Sequence, residues 1–128
     1  MSADPPRLPP CPGAPNCVCS EGPAGSHFIA PLTCGPDPAA GWQRLKDVLR
    51  ALPGMRIVEE SENRLRAESR TRLFRFVDVL DFRLDAAAGV IHCRSESRLG
   101  YWDLGVNRCR LERIRQLLST QSSAESSS

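Results

Sequence analysis

Lysine is nearly missing from this chain: of its 17 basic side chains, only Lys46 is not an arginine. Basic contacts must therefore be made almost wholly by planar guanidinium forks, which suit carboxylate and phosphate. Aromatic residues are also scarce, at 5%. No apolar run approaches the roughly 18–20 residues that a membrane helix needs. Residues 1 to 20 hold no apolar signal-peptide segment, and Pro5-Pro6-Arg7-Leu8-Pro9-Pro10 stands where one would lie. These absences predict a soluble, cytoplasmic protein without a membrane span. The GxGxxG, Walker A, Gly-x-Ser-x-Gly and His-Glu-x-x-His patterns are missing too, which withdraws support from the common nucleotide-binding and hydrolase classes.

Cysteine, by contrast, is plentiful. Cys11, Cys17, Cys19, Cys34, Cys93 and Cys109 would allow 15 disulfide pairings if all were oxidised. With no export signal, six reduced thiols are expected. Cys17-Val18-Cys19 is one residue short of the Cys-x-x-Cys knuckle that structural zinc sites use, so neither a metal nor another cofactor is expected.

The 128 residues suit one domain. Residues 1–25, rich in Pro, Gly and Cys, are expected to form an extended arm, 26–118 a single domain, and the Ser-rich 119–128 a disordered tail. A short strand is expected at His27-Phe28-Ile29-Ala30, stopped by Pro31. Trp42, Leu45, Val48, Leu49 and Leu52 recur at helical spacing over Ala39 to Leu52, after Asp37-Pro38 and before Pro53-Gly54. Met55 to Glu60, Arg64 to Arg70, Leu73 to Asp85 and Val90 to Arg98 read as an antiparallel meander. A final helix is expected from Leu104 to Leu118, with Asp103 as N-cap and Leu111, Ile114, Leu117 and Leu118 as its apolar stripe. The fold class is therefore α+β: two layers, a four- to five-stranded antiparallel sheet with both helices on one face, in the order β-α-β-β-β-β-α. That order is a TATA-binding-protein-like arrangement in topology alone and implies nothing about DNA.

Alternation along the third meander strand places Asp78 on one face with Phe74, Phe76, Leu80, Phe82 and Leu84. A carboxylate in an apolar row needs a partner, because burying it alone costs several kcal/mol. On the final helix, Asn107 falls near the centre of the apolar stripe and Arg110 at its edge. A network of Asp78, Asn107 and Arg110, joined by Ser95 and Ser97 on the last strand, is expected. The other sheet face carries six arginines (Arg66, Arg70, Arg75, Arg83, Arg94 and Arg98), but only three acids, Glu68, Asp81 and Glu96, with no interleaved aromatics. That absence argues against a platform for single-stranded nucleic acid.

Three blocks carry a family resemblance. Pro15-Asn16-Cys17-Val18-Cys19-Ser20, the Phe76-Val77-Asp78-Val79-Leu80-Asp81-Phe82 strand, and Arg94 to Gly100 followed by Asp103 to Arg110 together resemble the bacterial and plastid family known as domain of unknown function 1499. The family's arm usually reads Asn-Cys-Val-Ser-Ser, so Cys19 replaces a serine here. Its third meander strand often has two successive acids, whereas Asp78 is followed by Val79. The resemblance implies a fold and the placement of a site, with no activity, cofactor or substrate attached.

The expected function is a non-catalytic module that binds an anionic small molecule or a protein partner, using Asn16, Cys17, Arg94, Arg98, Asp103, Asn107 and Arg110 at the last strand-to-helix turn. Two alternatives stand beside it. In one, the polar block only locks the fold of a structural or assembly protein; in the other, Cys17 is a nucleophile with His27 or His92 as base.

Overall fold

The computed structural model describes residues 7–12, 16–70, 77–98 and 105–126, with side chains described as far as Thr120. Punctuation in the sequence places the first helix. Asp37 accepts hydrogen bonds at Oδ1 from the N–H groups of Ala39 and Ala40, at 3.1 and 3.3 Å, and Pro38 occupies the first turn. Helix α1 then runs Pro38–Ala51 and buries Trp42, Leu45, Val48 and Leu49. Gly54 turns the chain away with φ +75°, and a Cβ there would meet the Arg70 carbonyl oxygen at 2.6 Å. The residue must be small and left-handed, which glycine alone satisfies without strain.

Six strands form one antiparallel sheet: β1 Cys17–Cys19, β2 Leu32–Thr33, β3 Met55–Glu60, β4 Arg64–Arg70, β5 Val77–Asp85 and β6 Val90–Ser97. Their order is β1-β6-β5-β4-β3. β2 also pairs with β6, opposite Val90 and Ile91, while β1 pairs with its other end at Arg94 to Glu96. The architecture is α+β, with one more strand than the upper count expected. The additional strand is β1, which the arm supplies.

The strand expected at 27–30 is not formed. Phe28 makes only an isolated bridge to Cys19, and pairing with β6 starts at Leu32. Pro31 has no N–H to donate, so a ladder cannot run through it and restarts on its far side. Of the expected third meander strand, residues 73–76, and of the turn into the final helix, residues 99–104 with the expected cap Asp103, lie outside the described residues. Helix α2 spans Val106–Ser126 and so continues past Leu118 into the Ser-rich tail. Leu118 is its last buried residue among those whose side chains are described; beyond it, each added residue needs only one further hydrogen bond on an existing helix.

Leu65, Ala67, Leu80, Phe82, Ile91 and Cys93 from the sheet join the α1 stripe and Leu111, Ile114 and Leu118 of α2 in a single core cluster. The α2 arginines fasten the connecting loop. Arg115 donates to the carbonyls of Ala30 and Pro31, and Arg108 to that of Ser26. No helix among the described residues is long and apolar enough to cross a membrane.

Candidate functional site

The inward face of β5 and β6 carries Asp78, Ser95 and Ser97 towards the first turns of α2. Arg110 Nη1 lies 2.7 Å from Asp78 Oδ2, and both side chains are largely buried. The same nitrogen donates to Asn107 Oδ1 at 3.1 Å, and Ser95 Oγ donates to that oxygen at 2.5 Å. Asn107 Nδ2 donates to the carbonyl of Asn16 and to Ser97 Oγ, both at 3.0 Å. Asn16 in turn donates from Nδ2 to the Ser97 carbonyl at 3.1 Å. Asn107, fully buried, thus spends its amide on three elements at once. It joins arm, sheet and helix, and the low local dielectric makes each of these bonds costly to break.

The expected ligand set is brought together only in part: Asn16, Asn107 and Arg110 meet, whereas Arg94 and Arg98 stand apart. Alternation along β6 sends Ser95 and Ser97 inward but Arg94 and Arg98 to the outer face. There Arg94 is already engaged: Nε donates to the Pro9 carbonyl at 2.9 Å, Nη2 to that of Pro10 at 3.4 Å, and Nη1 lies 3.2 Å from Glu96. Arg98 is paired with Glu68 at 3.0 Å. Neither arginine meets Asn107 or Arg110, because the sheet lies between them.

Cysteine chemistry also differs from expectation. Cys11 and Cys17 form a disulfide, so six reduced thiols is corrected to four, and Cys17 has no thiol to act as nucleophile. His27 Nδ1 lies 3.0 Å from the Cys17 carbonyl, and His92 Nδ1 lies 3.1 Å from Ser20 Oγ. Cys19, Cys34 and Cys93 are buried, and desolvation pushes each thiol up, that of Cys93 to about 12. Such thiols are inert at neutral pH. Cys109 is exposed. Among the described residues no group of three or more His, Cys, Asp or Glu is arranged to hold a metal ion.

Glu21 was not foreseen. It takes Arg83 in a two-pronged pair, Nε to Oε2 at 2.9 Å and Nη2 to Oε1 at 2.6 Å, and accepts the Leu8 N–H at 2.9 Å. Burial pushes the Glu21 carboxyl up, but the Arg83 and Leu8 hydrogen bonds and the charges of His92 and Arg83 outweigh it and hold the group below its ordinary value. The signal for it lay in the count of six arginines against three acids: the outer face lacks carboxylates that the arm can supply.

A groove lies beside the inner network. Leu52, Pro53 and Met55 form one wall, Val106, Cys109 and Arg113 the other, and Ser69 and Arg110 complete the lining around about 500 Å³. Val106 is 44% exposed there, an apolar side chain left in water. A second cavity, between β2, α1 and α2, is near 100 Å³. Its arginines, Arg44 and Arg115, are both committed to backbone carbonyls.

Fold and site together define a two-layer α+β module in which a buried polar lock borders an open apolar groove. Its lineage follows from the whole domain rather than from the site. The chain belongs to the family described as protein of unknown function (DUF1499), whose model matches residues 7–118. No match was found among curated proteins or among solved structures.

Proposed function

We propose that this protein is a non-catalytic small-ligand-binding module whose site is the groove at the start of α2. The observation that carries this reading is the groove's construction. About 500 Å³ lies between apolar walls, within the range that encloses small molecules. Arg110 enters it already fixed by Asp78 and Asn107, so ordering that side chain on binding costs little. Among the described residues the lining holds no carboxylate and no histidine. Four arginines of the outer face have partners of their own: Arg66 pairs with Asp81, Arg83 with Glu21, Arg94 with Glu96 and Arg98 with Glu68. That argues against a nucleic-acid backbone as ligand.

NMR titration of the full chain with a small-molecule fragment set tests the reading. Shifts are expected to cluster at Met55, Ser69, Val106, Cys109 and Arg113, and to vanish in Val106→Trp, where the groove is filled. Shifts clustering elsewhere, or surviving in the filled variant, would overturn it.

The polar network itself supports a second reading, that of a fold lock. Asn107 is fully buried and its amide bonds run to arm, sheet and helix rather than to a surface. In this reading the network positions the groove and does not touch the ligand.

A further inference from the structure

Resting on the groove as the binding site, we propose that its ligand is an apolar monocarboxylate, such as a medium-chain fatty acid, with the chain on Leu52, Pro53, Met55 and Val106 and the carboxylate on Arg113. The walls supply four apolar side chains and no acid among the described residues. The two guanidinium groups differ in what they can offer. Arg110 is neutralised by Asp78 at 2.7 Å and bonded to Asn107, whereas Arg113, one turn further along α2, has no carboxylate partner among the described residues.

The uncompensated charge of Arg113 repels a cationic ligand, so an amine is disfavoured at this rim. A single uncommitted guanidinium matches one carboxylate, whose two oxygens it can take side by side. Because Arg113 is exposed, its pair with the ligand is solvent-screened and contributes selectivity more than strength. Affinity therefore comes mainly from the chain. Each methylene carried into the groove strengthens binding about fourfold.

Cys109 lines the same groove and is the exposed thiol, while Cys19, Cys34 and Cys93 are buried. It serves as a reporter. Maleimide labelling of the native chain at low ionic strength, followed by intact mass and by peptide mapping, would be measured against hexanoate, octanoate, decanoate and the neutral 1-octanol. The half-protecting concentration is expected to fall about fourfold per methylene in the acid series. Octanoate is expected to protect at a two- to fivefold lower concentration than 1-octanol. That advantage should disappear in Arg113→Gln and persist in Arg7→Gln, an exposed arm residue that lines a different cavity beside Arg83 and Asp85.

Equal protection by acid and alcohol in the native chain would overturn the head-group assignment and leave the groove standing. Absence of protection at every chain length would overturn both. Arg113 is exposed, so its variant should keep the native Tm; a shifted Tm would transfer the test to Arg113→Lys, which keeps the charge and loses the fork.

Discussion

Arg110 and Asp78 meet 2.7 Å apart across the boundary between helix and sheet, with side chains 13% and 8% exposed. Removing either partner leaves the other charged and buried. Arg110→Ala or Asp78→Ala should each cost about 3–5 kcal/mol by urea denaturation. Replacing both together with apolar residues of similar volume should recover most of that loss. Equal loss in the double replacement would show that the charge pair and its hydrogen bonds stabilise the fold outright rather than merely being costly to break singly.

Acid should weaken the fold in two stages that trace to the outer face. Burial holds His92 below the ordinary histidine value, against the pull of Glu21. The unfolded chain therefore takes up its proton first, and stability present above about pH 6.5 declines as the pH falls below it. Glu21 is also held below its ordinary value, so its contribution is present above about pH 4.5 and lost as the pH falls through the lower folded value. Stability measured across pH 3 to 8 should lose the upper stage in His92→Gln and the lower stage in Glu21→Gln.

Helix α1 approaches the loop before it too closely for any side chain at Gly41. A Cβ there would lie 2.0 Å from the Cys34 carbonyl oxygen, a backbone atom with little room to yield. Gly41→Ala should therefore destabilise the protein by about 1–3 kcal/mol despite the better helix propensity of alanine. Thermal denaturation of the variant measures the balance, and a raised Tm would show that α1 can lift off the loop without loss.

The Cys11–Cys17 disulfide anchors the arm, where Pro9 and Pro10 accept from Arg94 and the Leu8 N–H is held by Glu21. Cys11→Ser should cost about 2 kcal/mol through the freed loop. Amide exchange at Leu8 should quicken far more than exchange in β4 or β5. Uniform quickening would place the bond's effect in the whole fold and not in the arm.

The segments bounded by proline, glycine and turn residues were the most legible. β3 and β4 occupy 55–60 and 64–70 as their alternation predicts, and α1 starts and ends within a residue of its expected bounds. Asp78 was legible for a different reason: a carboxylate in an apolar row has to be answered, and few polar residues on the facing helix could reach it. β1 was not legible, because three residues carry too little alternation to reveal a strand. Its partner β6 selects it. Arg94 and Arg98 were placed with Asn107 by nearness in sequence, although period two sends them to the opposite face.

Local preference and periodicity belong to a segment by itself, so the sequence alone determined the extent of α1, the presence of a final helix, the meander, and the need of Asp78 for a polar partner. Which distant segments meet depends on how the layers close. Only the tertiary structure decided that Glu21 of the arm would neutralise Arg83, that Cys11 would reach Cys17, and that Leu52 and Met55 would face Val106 and Arg113 across a groove. Those contacts arise when the core buries its apolar faces, and no short-range pattern in the chain encodes them.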